Sequence, residues 1–113
     1  MNVYLDDVRE PPANFVLVKT VDECKDILKN NKVNILSLDH DLGDNQPTGY
    51  DLVKWMVENK VYPDIITVHS LNPVGKKNMT QLLKKNKPNW VKFIEQKSYE
   101  SDWLKIILDR NII

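Results

Sequence analysis

Val33-Asn-Ile-Leu-Ser-Leu-Asp39-His-Asp41 is an apolar run that stops abruptly in charge. Val33 to Leu38 is too short for a helix and continuous enough for a strand covered on both faces, and Asp39 ends it. Working outward, the segment on its N-terminal side, Thr20 to Lys29, opens with the capping-box pattern Thr20-Val-Asp-Glu23. It spaces Val21, Cys24, Ile27 and Leu28 as one buried helical face. On the C-terminal side, the turn-rich Gly43 to Gly49 leads into a helix over Tyr50 to Asn59, with Thr48 or Asp51 as its cap. Pro63 precedes a second compact β-branched run, Ile65 to Val68, which ends in His69-Ser70. Asn72-Pro73 starts the next helix, with Pro at its first position. Asn2 to Leu5 and Phe15 to Val18 are further strands, Trp90 to Ile94 is the last one, and Tyr99 to Leu108 is a closing helix. Strands alternating with helices of this length predict a parallel sheet with right-handed crossovers and helices on both faces. The link from the first strand to the second is the exception. Val8 to Asn14 holds two prolines and is shorter than the dozen residues a parallel crossover normally takes. Two readings stand: a short extended link, or an antiparallel pair at the sheet edge.

The 113 residues, 42% hydrophobic and 28% charged, predict one domain spanning 1–113 that needs neither disulfide nor structural metal. The single cysteine, Cys24, has no intramolecular partner. No apolar run approaches a bilayer span and the first residues carry no signal pattern, so the cytoplasm is the expected compartment, with no membrane partner. Sixteen basic residues balance sixteen acids, which argues against long duplex nucleic acid as a partner. That zero hides a division: residues 1–64 sum to −5 and residues 65–113 to +5. No acid occurs between Asp64 and Glu95, whereas Lys76, Lys77, Lys84, Lys85, Lys87 and Lys92 all do. This is either a solvated face or a surface for a phosphorylated partner. Trp55, Trp90 and Trp103 are expected as core anchors.

In an open parallel sheet, ligands bind beyond the carboxyl ends of the strands. That rule gathers Asp6, Asp7 and Arg9 after the first strand, and Asp39, His40 and Asp41 after the third. It adds His69, Ser70 and Asn72 after the fourth and Lys97 past the fifth. Both histidines of the chain fall on this rim. Imidazoles titrating near neutrality suit a general base and a general acid on opposite sides of a phosphorus. Asp6, Asp7, Asp39 and Asp41 make a candidate set for Mg2+ or another divalent cation. The competing reading has Asp39 or Asp41 capping its loop and pairing with Arg9. The helix start at Asn72-Pro73-Val74-Gly75 aims free N–H groups at the same rim, a natural anion site.

The order of elements, Asp6-Asp7, Asp39, His69-Ser70 and Lys97 resemble the response-regulator receiver domain. Four stretches fit a narrower group: Leu5-Asp6-Asp7-Val-Arg9, Ser37-Leu38-Asp39-His40-Asp41-Leu42-Gly43, Thr48-Gly49-Tyr50-Asp51 and Val68-His69-Ser70-Leu71-Asn72-Pro73. These are similar to the motifs of the cyclic-phosphate processing receiver domains. The resemblance implies a receiver or flavodoxin-like three-layer sandwich, a five-stranded mostly parallel sheet of order 2-1-3-4-5, with the first helix missing. It also implies a hydrolase or phosphodiesterase acting on a cyclic phosphate of a nucleotide, oligonucleotide or RNA end. His40, His69 and Asp39 would be its catalytic groups, and Arg9, Ser70, Asn72 and Lys97 would hold the phosphate. The alternatives are a non-enzymatic phosphoacceptor at Asp39 and a cyclic-nucleotide-binding module. One register question stays open: a slip of one residue decides whether His69 or Ser70 faces the site.

Overall fold

The protein was analysed as a computed structural model, which describes residues 1–95. The chain runs β1 (Asn2–Leu5), β2 (Phe15–Val18), α1 (Val21–Asn30), β3 (Ile35–Leu38), α2 (Gly49–Asn59), β4 (Ile65–Val68), α3 (Pro73–Asn86) and β5 (Lys92–Ile94). The five strands form one sheet in the order β2-β1-β3-β4-β5, and every pairing is parallel. The expected order is therefore found, and the β1–β2 question resolves to the parallel arrangement. The nine residues from Asp6 to Asn14 need only return along a four-residue strand of about 13 Å, well within the extended reach of about 30 Å for nine residues. Pro11 and Pro12 suit an extended path. Asn14, in the left-handed region at φ 69°, turns the chain into β2.

Register sorts the two faces. Val3, Leu36 and Ile66 lie abreast, as do Leu5, Leu38 and Val68. They share one core with Val21, Cys24 and Leu28 of α1, Leu52, Val53 and Met56 of α2, and Met79 and Leu83 of α3. All three described helices thus cover the same face. Burial pushes the Cys24 thiol up to about 12, with the Glu23 charge adding to it, so this cysteine is an inert core residue. The other face carries Tyr4, Phe15, Ile35 and Ile65 as a second buried cluster. The expected helix at Tyr99 to Leu108, and with it the covering of this face, lies outside the described residues.

The helix starts follow their sequence signals. Thr20 accepts from the backbone N–H of Glu23, and Thr48 forms a full capping box with Asp51. The fifth strand is shorter than expected. Val91 N–H bonds back to the Pro88 carbonyl, so a turn holds residues 88–91 and pairing begins at Lys92. Trp90 sits on that turn 59% exposed, which corrects its expected place as a core anchor. Trp55 packs partly buried against the main core, under the Lys25 ammonium, and Trp103 lies outside the described residues. Among the described residues no helix is long and apolar enough to cross a membrane.

Candidate functional site

The strand alternation answers the register question. Thr67 lies abreast of Tyr4 and Ser37, and continuing that alternation sends His69 to the same side and Ser70 to the other. The His69 ring stacks on Tyr4 with centroids 4.2 Å apart and planes within 2°. Its Nδ1 lies 2.7 Å from Ser37 Oγ, and its Nε2 lies 2.9 Å from Asp6 Oδ2. A carboxylate only accepts, so Nε2 carries the proton and Nδ1 accepts from the Ser37 hydroxyl. Burial holds the His69 imidazole well below its usual range, at about 4, against the opposing pull of Asp6. The result is a neutral, buried histidine with both ring nitrogens committed. Only His40 of the two histidines remains at the rim.

Asp6 is the centre of this network. Its Oδ1 accepts the backbone N–H groups of Val8 and Arg9 at 2.8 and 2.9 Å. Its Oδ2 accepts from His69 Nε2 and from Arg9 Nη1 at 3.3 Å. Burial works to raise its pKa, but the bonds from Arg9, Val8 and His69 outweigh that and lower it. The same guanidinium nitrogen reaches the His69 carbonyl at 3.4 Å and Asp39 Oδ2 at 3.9 Å. Arg9 is therefore held from two directions at the mouth of the site. Asp39 differs from Asp6. Burial, aided by the nearby Asp6 charge, pushes its pKa up, while the His40 N–H, the Ser70 hydroxyl and Arg9 oppose the rise.

These groups open onto a cleft of about 400 Å³ lined by Asp6, Asp7, Arg9, Asp39, Asp41, Asn72 and their neighbours. His40 adjoins it through Asp41 and Asn72. His40 Nδ1 lies 3.0 Å from Asp41 Oδ1, and Asn72 Nδ2 donates to Asp41 Oδ2 at 3.2 Å. These two bonds hold the Asp41 carboxyl below its usual range, so it accepts and Nδ1 donates. Nε2 is then the basic nitrogen, and no described residue bonds it. Asn72 caps α3 through Gly75 N–H at 3.0 Å, and its own N–H donates to Ser70 Oγ. Two glycines create the space. A Cβ on Gly49 would fall 2.0 Å from the Asp39 carbonyl oxygen, and one on Gly75 would fall 2.4 Å from His40 Cγ. Gly75→Ala is expected to push the His40 ring off α3 and to cost about 1–3 kcal/mol. The check is the imidazole NMR resonances of His40, which should shift while those of His69 stay in place.

The chain is similar to receiver domains of known structure. One is the signal receiver domain of a Luxo repressor protein from Vibrio parahaemolyticus, at 19% identity and TM-score 0.63, covering 98% of this chain and 88% of that one. Another is a CheY-like response regulator receiver domain from Methanospirillum hungatei JF-1, at 14% identity and TM-score 0.57, covering 96% and 90%. At these identities the likeness concerns the fold. No curated protein matches the sequence closely enough to count as similar. The family model described as "Cyclic-phosphate processing Receiver domain" matches residues 1–85. The chain belongs to that family. The match covers every strand-end group described above, from Asp6 to Asn72.

Within this family member, the residues expected at the rim separate into three groups. Asp7, Arg9, Asp39, Asp41 and Asn72 line the cleft, with His40 and Ser70 bonded to its walls. His69 lies behind them, buried between Tyr4, Ser37 and Asp6. Lys97 lies outside the described residues. For a cation, Asp6, Asp39 and His69 bring ligand atoms within 4.8 Å of one another. Yet the four acceptor positions of Asp6 are already filled, and His69 has no lone pair left to give. Asp41 is likewise engaged with His40 and Asn72. Asp7, which no described residue bonds, and Asp39 keep oxygens open to the cleft. The approach of Arg9 to Asp39 at 3.9 Å follows the competing reading in part, whereas its shorter pairing is with Asp6, which that reading did not name. Ser37 and Tyr4 are the partners of His69 in the candidate site that the sequence did not point to. The available signal was a lone hydroxyl inside the run Ile35-Leu-Ser-Leu38.

The buried histidine carries a pH consequence. The unfolded chain protonates His69 near 6.5, whereas the folded protein resists until about 4. Below 6.5 the unfolded state therefore binds more protons, so stability falls as pH drops from about 6.5 to 4 and does not change on this account above 6.5. The full loss is about 3 kcal/mol. Urea unfolding at pH 7 and pH 5 should show about 2 kcal/mol of it, and His69→Gln should remove most of that difference.

Proposed function

We propose that this protein hydrolyses a cyclic phosphodiester in the cleft beside Arg9, with His40 as the proton carrier. The family supports a cyclic phosphate as the substrate class, and the His40–Asp41 couple is the observation that supports hydrolysis. A histidine whose Nδ1–H is held by a carboxylate presents a basic Nε2 in a fixed orientation. In the step, a water oxygen bonds to phosphorus, one ring P–O bond breaks, and the released oxygen leaves as a hydroxyl. His40 Nε2 takes a proton from the water, solvent water protonates the departing oxygen, and His40 then gives its proton to solvent, so the protein ends in its starting state. Arg9 faces the negative charge that builds on the phosphoryl oxygens. Asp6 and His69 act through Arg9, fixing its guanidinium, and are positioning residues.

The cleft holds more carboxylates than cations, which an anionic substrate must overcome. Asp7 and Asp39 fit a divalent cation, with their open oxygens matching the preference of Mg2+ for one or two carboxylates. Such an ion would supply the positive charge that lets a phosphate enter. The experiment is 31P NMR of a panel of 2′,3′-cyclic mononucleotides, cyclic dinucleotides and cyclic-phosphate RNA ends incubated with the protein and Mg2+. Conversion of one of them to a phosphomonoester is expected. A panel left unchanged would remove the proposal.

A second reading rests on Asp39 itself, whose carboxyl lies beside the Ser70 hydroxyl and the Arg9 cation. It makes the domain a phosphoacceptor. Labelling by acetyl phosphate with Mg2+, lost in Asp39→Asn, together with an unchanged panel, would favour it. Tight binding of an unchanged cyclic nucleotide would instead favour a binding module.

A further inference from the structure

We infer that the substrate is the cyclic-phosphate end of a single-stranded RNA whose upstream nucleotides lie along α3 and stack on Trp90. This rests on the cyclic-phosphate reading of the cleft and extends it. Helix α3 begins at the cleft, where Asn72 caps it, and runs 14 residues, about 21 Å, to the far end of the molecule. Lys77, Gln81 and Lys85 are all exposed and stand at i, i+4 and i+8, one continuous ridge along its outer face. No acid occurs anywhere from Ile65 to Ile94, and Glu95, the first one after it, pairs with Lys84 at 3.8 Å. Lys77 and Lys85 place positive charge toward the two ends of the ridge, with Gln81 neutral between them, and Glu95, which shares a groove with Lys76, Lys77 and Gln81, is offset by its pairing with Lys84.

The ridge ends at an aromatic pocket. A cavity of about 440 Å³ is lined by Lys60, Tyr62, Asn86, Pro88 and Trp90. The Trp90 ring is 59% exposed and is braced edge-to-face by Tyr62 at 6.3 Å. An exposed indole held rigid by a second ring, with Lys60 lining the same cavity, is what base stacking on a single strand requires. Stacked nucleotides advance about 3.4 Å each, so α3 spans roughly six of them. Duplex RNA offers no unstacked base to Trp90. This accounts for the division of charge in the sequence: the acidic part holds the reaction cleft, and the basic part guides the chain that leads to it.

The test is fluorescence anisotropy of a labelled single-stranded hexaribonucleotide ending in a 3′-phosphate, which reports binding whether or not the cleft is catalytic. Trp90→Ala should weaken binding at least 5-fold, and Lys77→Glu with Lys85→Glu at least 10-fold with a shallower salt dependence. In turnover, the same variants should raise KM for a hexamer ending in a 2′,3′-cyclic phosphate and leave a cyclic mononucleotide unaffected. Wild-type affinity in both variants would overturn the inference. So would equal binding of a hexaglutamate peptide, which would assign the face to an acidic protein. Binding lost in these variants, with no substrate turned over by the wild type, would support the RNA surface and remove only the hydrolytic reading.

Discussion

His40→Ala is expected to lower turnover of the cyclic phosphate by about 100- to 10,000-fold, the range for removing a positioned acid–base group. The reason is that no other described residue of the cleft offers an imidazole, because His69 has both nitrogens bonded and its ring stacked on Tyr4. Stability should fall by about 1–2 kcal/mol, since the ring is largely covered by its packing on Gly75 although its main bond, to Asp41, is exposed. Steady-state rates and urea melts of the same preparation measure both quantities. His40→Ala with full activity would remove the proton-transfer role. Asp41→Asn should give an intermediate loss, since it releases the ring without removing it.

His69→Ala is expected to do the reverse in kind: a stability loss of about 2–4 kcal/mol. Truncation opens a cavity against Tyr4, strips the Ser37 hydroxyl of its acceptor and takes one of four donors from Asp6. Activity should fall less than in His40→Ala when measured well below the melting temperature, because Arg9 keeps its bonds to Asp6. Ser37→Ala provides the smaller companion, about 1 kcal/mol from one hydrogen bond. If His69→Ala melts like the wild type and loses turnover as completely as His40→Ala, the two-histidine reading is restored. The contrast between the variants separates the histidine that touches substrate from the one that supports the site.

Most of the fold was legible because each strand is a short apolar run closed by a polar residue, and β1, β2 and β4 have the bounds read from the sequence. The β1–β2 link was ambiguous because proline rigidity tells how the segment travels but not which way the next strand runs. The gathering of Asp6, Asp39 and Ser70 in the candidate site was legible for the same reason as the fold: they stand where strands end. Orientation was not. A strand alternates sides at every residue, so the direction in which His69 points depends on the phase of β4, which pairing with β3 sets. Ser37 was hidden by its neighbours, since a single hydroxyl leaves an apolar run apolar. Trp90 was misplaced by its type: large aromatics are usually buried, and only the turn closed by Val91 N–H on Pro88 holds this one out in solvent.

The central claim is that water opens a cyclic phosphate in the Arg9–His40 cleft. Its most direct measurement is hydrolysis of the best substrate of the panel in H218O, followed by mass spectrometry of product and protein. The account predicts one 18O atom in the phosphomonoester and none on the protein, with product formation lost in His40→Ala. Product that carries no 18O, or a phosphoryl group retained on Asp39, would contradict it.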